Sequence, residues 1–199
     1  MKFHKLISVI LHPIVIPTIG VILFFLLSSE YISKERQYLL IGIVFFSTYI
    51  IPLILLIILK AIGLINSFQV ESIKERKIPI FLMLIIFYVL AKFLYEIPSF
   101  KGLGIMFYGT NFSLIIIYLL SFFKIKTSLH IASMSNALGF ILVFSQINNV
   151  PALTLIIPTI ILTGILGVSR LSLKAHKPNE IYIAFFLGII TQYLSFLTL

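Results

Sequence analysis

Cysteine is absent from the 199-residue chain, which excludes disulfides, thiolate metal sites and a cysteine nucleophile. Aspartate is absent too, and all six acidic residues are glutamates. The aspartate-rich, magnesium-holding motifs of prenyl and nucleotide-lipid chemistry therefore have no ligands here. Charge is scarce as a whole. Asp, Glu, Lys and Arg make up 11% of the residues, against about 25% in a soluble domain.

Apolar residues take that space, at 60% with a mean hydropathy of +1.18. This composition implies an all-α, polytopic transmembrane bundle of about six or seven spans of ~20 residues each. Residues 1–199 then form one integral membrane domain with no room for a separate soluble one. Lys2 and Lys5 precede an apolar run, Leu6–Leu27. That run is too long for a signal peptide and lacks a small-residue cleavage site, so it reads as an uncleaved first span. Pro13 and Pro17 kink it or make it partly re-entrant. His12 beside them could line a polar interior, but reads first as a capped or interfacial histidine beside the kink. The remaining spans are expected near Tyr38–Leu59, Pro79–Ile97, Ile105–Phe123, Leu129–Ile147, Ala152–Val168 and Glu180–Leu199. The start of the fifth, His130 to Gly139, is small and polar, which suits a helix packed against neighbours or a cavity.

This order puts the N-terminus, Lys60–Ile78, Lys124–Ser128 and Ser169–Asn179 on one face of the membrane. That face carries eleven Lys and Arg, and the other carries four. The net charge of +9 thus combines membrane topology with three basic patches on one face. Arginine and lysine neutralise phosphoryl oxygens, and histidine serves as nucleophile or general acid near neutral pH. Ser128 is placed to cap the fifth span, with His130 in its first turn, so helix N–H groups there suit an anion. Pro178 starts the last span and leaves His176 at its mouth, with Glu180 one turn on.

The spacing within Ser169–Glu180 is more specific. Ser169-Arg170, five residues, His176, three residues and an acid resembles the third motif of the type 2 phosphatidic acid phosphatase (PAP2) superfamily, in which the acid is aspartate. Upstream, Thr127-Ser128-Leu129-His130 resembles the second motif, Pro-Ser-Gly-His, through Ser128 and His130. Glu75-Arg76-Lys77-Ile78-Pro79 lies where the first motif, Lys-x6-Arg-Pro, belongs, without its spaced lysine. The resemblance covers residues 74–188. Beyond it the chain resembles a divergent group of small bacterial membrane proteins of this kind.

The resemblance implies a metal-independent phosphatase that needs no cofactor, hydrolyses a lipid phosphate or diphosphate and does not bind nucleic acid. It also implies a place in the bacterial cytoplasmic membrane. Its roles would be His176 as the nucleophile that becomes a phosphohistidine, His130 as proton donor to the leaving oxygen, and Glu180 as the group that orients His176. Arg170, Ser128, Lys126 and either Arg76 or Lys77 would hold phosphate. Leu129, which replaces the family's glycine, and the incomplete first motif motivate a second expectation: a non-catalytic phospholipid-binding or scaffold protein. Prolines 13, 17, 52 and 158 with the small polar fifth span motivate a third, a small transporter or flippase.

Overall fold

The computed structural model describes residues 2–28, 31–68, 70 and 72–199. Among these the secondary structure is helical throughout: α1 (Lys2–Ile10), α2 (Ile16–Leu27), α3 (Lys34–Ala61), α4 (Ile73–Tyr95), α5 (Lys101–Phe122), α6 (Leu129–Asn148), α7 (Leu153–Ser172) and α8 (Pro178–Thr198). Helices α3 to α8 are long and apolar enough to cross a membrane. The chain is a helical membrane bundle.

The expected first span is broken in two. Helix α1 ends at Ile10, Leu11–Val15 form a turn, and α2 begins at Ile16 with Pro17 in its first turn. Pro13 removes an N–H and disfavours helical backbone at His12, so the chain turns there. The twelve residues of α2 span about 18 Å, well short of a ~30 Å hydrocarbon layer. Helix α1 sets Phe3, Leu6, Val9 and Ile10 out to the surroundings, as an interfacial amphipathic helix does.

Three boundaries differ from the expected ones for local reasons. Pro79 lies inside α4 and not at its start, because Ser72 caps the helix earlier: its Oγ accepts from Glu75 N at 3.2 Å. This places Arg76 on the first turn. Helix α7 continues past Val168 to Ser172, so Ser169 and Arg170 are helical. Helix α3 carries a π segment at Phe46–Ile50, just before Pro52. The proline ring would clash with the carbonyl four residues back, and the widened turn relieves this.

Helix α6 is central. In its most apolar window 67% of the residues are buried, against 17% in the peripheral α3. Its small residues allow this. At Gly188 of α8 an added Cβ would lie 2.7 Å from Ser135 Cβ and 2.8 Å from both the Ala132 carbonyl oxygen and Asn136 N. The two backbones therefore touch, as small residues permit between membrane helices. Gln192, fully buried, locks the contact: its Nε2 donates to Met106 O (2.9 Å), Asn136 Oδ1 (3.0 Å) and Thr110 Oγ1 (3.2 Å), sharing two hydrogens among helices α5 and α6. Phe107 and Phe140 fill the core around this seam with no exposed surface.

Gly188→Ala should destabilise the bundle by about 1–3 kcal/mol, the cost of overpacking a close contact. Thermal unfolding in detergent reads this as a lower Tm. An unchanged Tm would contradict the close α6–α8 contact.

Candidate functional site

Four segments meet at one end of the bundle, and their polar side chains are held by backbone carbonyls. Two of the segments leave their helices through the same kind of turn. After α7, Lys174 adopts φ +54° while Lys174 N donates to Leu171 O and Ala175 N to Arg170 O. After α5, Lys124 adopts φ +60° while Lys124 N donates to Ser121 O and Ile125 N to Leu120 O. These are Schellman terminations with lysine where glycine is usual. They satisfy the last carbonyls of each helix and turn Lys126 and His176 back over the bundle.

Arg76 on α4 reaches both neighbouring loops. Its Nε donates to Val70 O at 2.7 Å and its Nη1 to Thr127 O at 3.1 Å. Lys126 Nζ donates to Ala175 O at 3.0 Å, beside His176. His176 Nδ1 bonds Glu180 Oε2 at 2.6 Å. A carboxylate only accepts, so Nδ1 carries the proton and the Nε2 lone pair of the neutral ring remains for chemistry. Glu180 is fixed in turn by accepting from Lys177 N at 3.3 Å, the N-cap position of α8.

Burial pushes His176 down to about 4, the Glu180 hydrogen bond opposes the shift, and the charges of Arg76, Lys126 and Arg170 add to it. His176 is therefore neutral at pH 7, and three cations stand close enough to repel its protonation. A site of that character is ready for an anion.

Below these groups lies a cavity of about 200 Å³. Its mouth is lined by His12, Arg76, His130, Arg170 and His176, and its depth by apolar residues such as Met83, Phe87 and Phe107. Phe87 is ~20 Å along α4 from the charged end. The space thus runs from a cationic mouth into the apolar layer, lined by residues of α2, α3, α4, α5 and α6.

The structure brings most, but not all, of the sequence-derived candidates to this mouth. His176, His130, Arg170 and Arg76 line the cavity, and Glu180 and Lys126 bind the His176 loop. Lys77 does not join them: its Nζ sits 4.0 Å over the Phe122 ring. One residue on, it points about 100° around the helix from Arg76. Ser128 is fully buried and caps α6, its Oγ accepting from Ile131 N at 3.4 Å, and it does not line the cavity. The Leu129 side chain does line it.

His12 is the residue that sequence reasoning undervalued. It lines the cavity, with its ring 5.1 Å from that of His130 in an edge-to-face contact. The α1–α2 break brings it there, and α1 just before it holds His130, whose Nε2 donates to Ser8 O at 3.1 Å. At the other end of α1, His4 Nδ1 donates to Ser169 Oγ (3.2 Å), which itself donates to Ile165 O. The pairing of Pro13 and Pro17 with a histidine was the available signal.

His176 in the anion-free protein should stay neutral at pH 6 and take up its proton only near pH 4, followed by histidine NMR in detergent. Because the unfolded chain protonates near 6.5, His176 favours the folded state above that pH, and this contribution declines as pH falls through the window towards 4. Arg170→Ala should raise the midpoint. A midpoint at or above 6.5 would contradict the described electrostatics. Comparisons with protein-family models, with curated proteins and with solved structures found no match to this chain.

Proposed function

We propose that the chain is a membrane phosphatase that hydrolyses a lipid phosphate monoester through a phosphohistidine at His176. One observation carries the reading: a neutral histidine, its Nδ1–H held by a carboxylate at 2.6 Å, faces a cavity mouth ringed by arginine. In this reading the Nε2 lone pair of His176 attacks phosphorus while the bond from phosphorus to the lipid oxygen breaks. The Glu180 carboxylate stabilises the charge that develops on the ring. Arg76 and Arg170 offset charge on the equatorial phosphoryl oxygens, and Lys126 fixes the loop that carries the nucleophile.

The lipid oxygen leaves with a proton from His130. The Ser8 carbonyl already accepts from Nε2, so the Nδ1 lone pair takes the proton of the bound phosphate monoanion and passes it to the lipid oxygen as the bond to phosphorus breaks. Water then attacks the phosphohistidine, inorganic phosphate departs, and His176 regains its lone pair. The cavity behind the mouth takes the hydrocarbon, which keeps the reaction at membrane level.

A second reading has its own observation. Leu129 lines the cavity where the resembled motif has glycine, and its side chain crowds the approach of phosphate to the helix N-terminus. A protein that holds a phospholipid headgroup without turnover would tolerate this.

Phosphate release from phosphatidic acid and from a polyprenyl phosphate, measured on purified protein in detergent, separates the two. The phosphatase reading expects turnover that falls on the order of 10³-fold or more in His176→Ala. Binding without release favours the second reading, and release unchanged by His176→Ala would sink the first.

A further inference from the structure

His12 is held by its own turn, and the proposed reaction gives it no task. The chain turns over His12–Val15, where Val15 N donates to His12 O at 2.9 Å. Pro13 takes the second position of that turn, which its preset φ suits. The His12 side chain folds back into the same turn, with Nδ1 accepting from Ile14 N at 3.4 Å. An Asn or Asp side-chain oxygen makes the same bond, to the N–H two residues on, in many turns.

This bond fixes the tautomer. Burial and the neighbouring Arg170 charge push His12 down to about 4, so the ring is neutral at pH 7. A neutral imidazole carries one proton, and because Nδ1 accepts, that proton sits on Nε2. The Nε2–H has no hydrogen-bond partner among the described residues, and it is not sealed from the surrounding space. The other two histidines of the mouth differ. His130 gives its Nε2–H to Ser8 O, and His176 gives its Nδ1–H to Glu180. Nor does Ser128 supply a donor, since it caps α6 away from the cavity. His12 thus brings an uncommitted neutral donor to a mouth that it lines together with Arg76, Arg170 and His176.

We propose that His12 is a phosphate ligand: its Nε2–H donates to a phosphoryl oxygen between Arg76 and Arg170, so that the α1–α2 turn completes the site. This rests on the phosphate reading of the same mouth. The chemistry recognised is a phosphate group, whether free or carried by a lipid. A neutral donor suits the position. Another cation beside Arg170 would meet like-charge repulsion, whereas an N–H bonds the oxygen without it. Held by its turn, the ring needs no rearrangement when the anion arrives.

Two substitutions separate the ligand from the turn. His12→Asn keeps an acceptor for Ile14 N and removes the donor at the Nε2 position. His12→Gln keeps an N–H at that position and gives up the turn bond. Both are made in the His176→Ala background, so that no turnover intervenes. Detergent-solubilised protein is titrated calorimetrically with inorganic phosphate and with a short-chain lipid phosphate. His12→Asn should weaken both ligands about tenfold or more, the worth of a hydrogen bond to a charged group, with Tm unchanged. His12→Gln should stay within about threefold of its parent. The reverse order would make His12 a turn-holding residue and overturn the proposal. Equal affinity in all three chains, or no phosphate binding by the parent, would overturn it too. So would a loss confined to the lipid ligand, because the donor would then serve a group other than the phosphate. Phosphate release by the wild-type chain is judged separately. Binding that depends on His12 without release refutes the phosphatase and leaves the ligand standing, and release with binding indifferent to His12 does the opposite.

Discussion

The charged end of the bundle depends on backbone carbonyls that hold cationic and imidazole side chains in place. Arg76 is tied to Val70 and Thr127, Lys126 to Ala175 and His130 to Ser8. Each bond crosses from one segment to another, so the same contacts that satisfy the donors also clamp three loops and helix α1 together. In water such bonds would be marginal. Beside an apolar layer, an unmade bond to a charged group is expensive, and that cost enforces the arrangement. Glu180 is held by the α8 N-cap and spends its charge on His176. Cations outnumber it, which leaves the mouth short of negative charge.

The packing beneath makes this end rigid. Gly188 brings the α6 and α8 backbones into contact, and Gln192 joins both to α5. The three helices that carry or flank His130, Thr127 and Glu180 are thus one unit. Helix α3 is different: it is peripheral, bent by a π segment before Pro52, and both Thr48 and Pro52 line the cavity. A rigid seam on one side and a loosely covered wall on the other are what an amphipathic ligand needs, since the reacting groups stay fixed while a long chain is accommodated.

The sequence made some of this legible and hid the rest for physical reasons. Composition declared the membrane bundle, and local spacing paired His176 with Glu180, because one helical turn decides that contact. Ser128 was legible as a cap for the same reason. The choice between Arg76 and Lys77 was not: it depended on where α4 starts, which Ser72 sets, and on helical phase thereafter. His12 entered the cavity through a turn whose outcome is tertiary, since prolines announce a break but not the direction of the turn. Gln192 sat unnoticed within an apolar run. A glutamine in the middle of a spanning helix was itself a signal, because lipid gives it no partner.

The most direct test of the central claim is to trap the covalent intermediate. Wild-type protein quenched within milliseconds of mixing with a short-chain lipid phosphate is digested under alkaline conditions and mapped by mass spectrometry. The proposed mechanism predicts an acid-labile phosphoryl group on His176, absent in His176→Ala and accumulating differently in Glu180→Gln. Steady phosphate release with no phosphoryl group on His176, or with the group on another histidine, would contradict it.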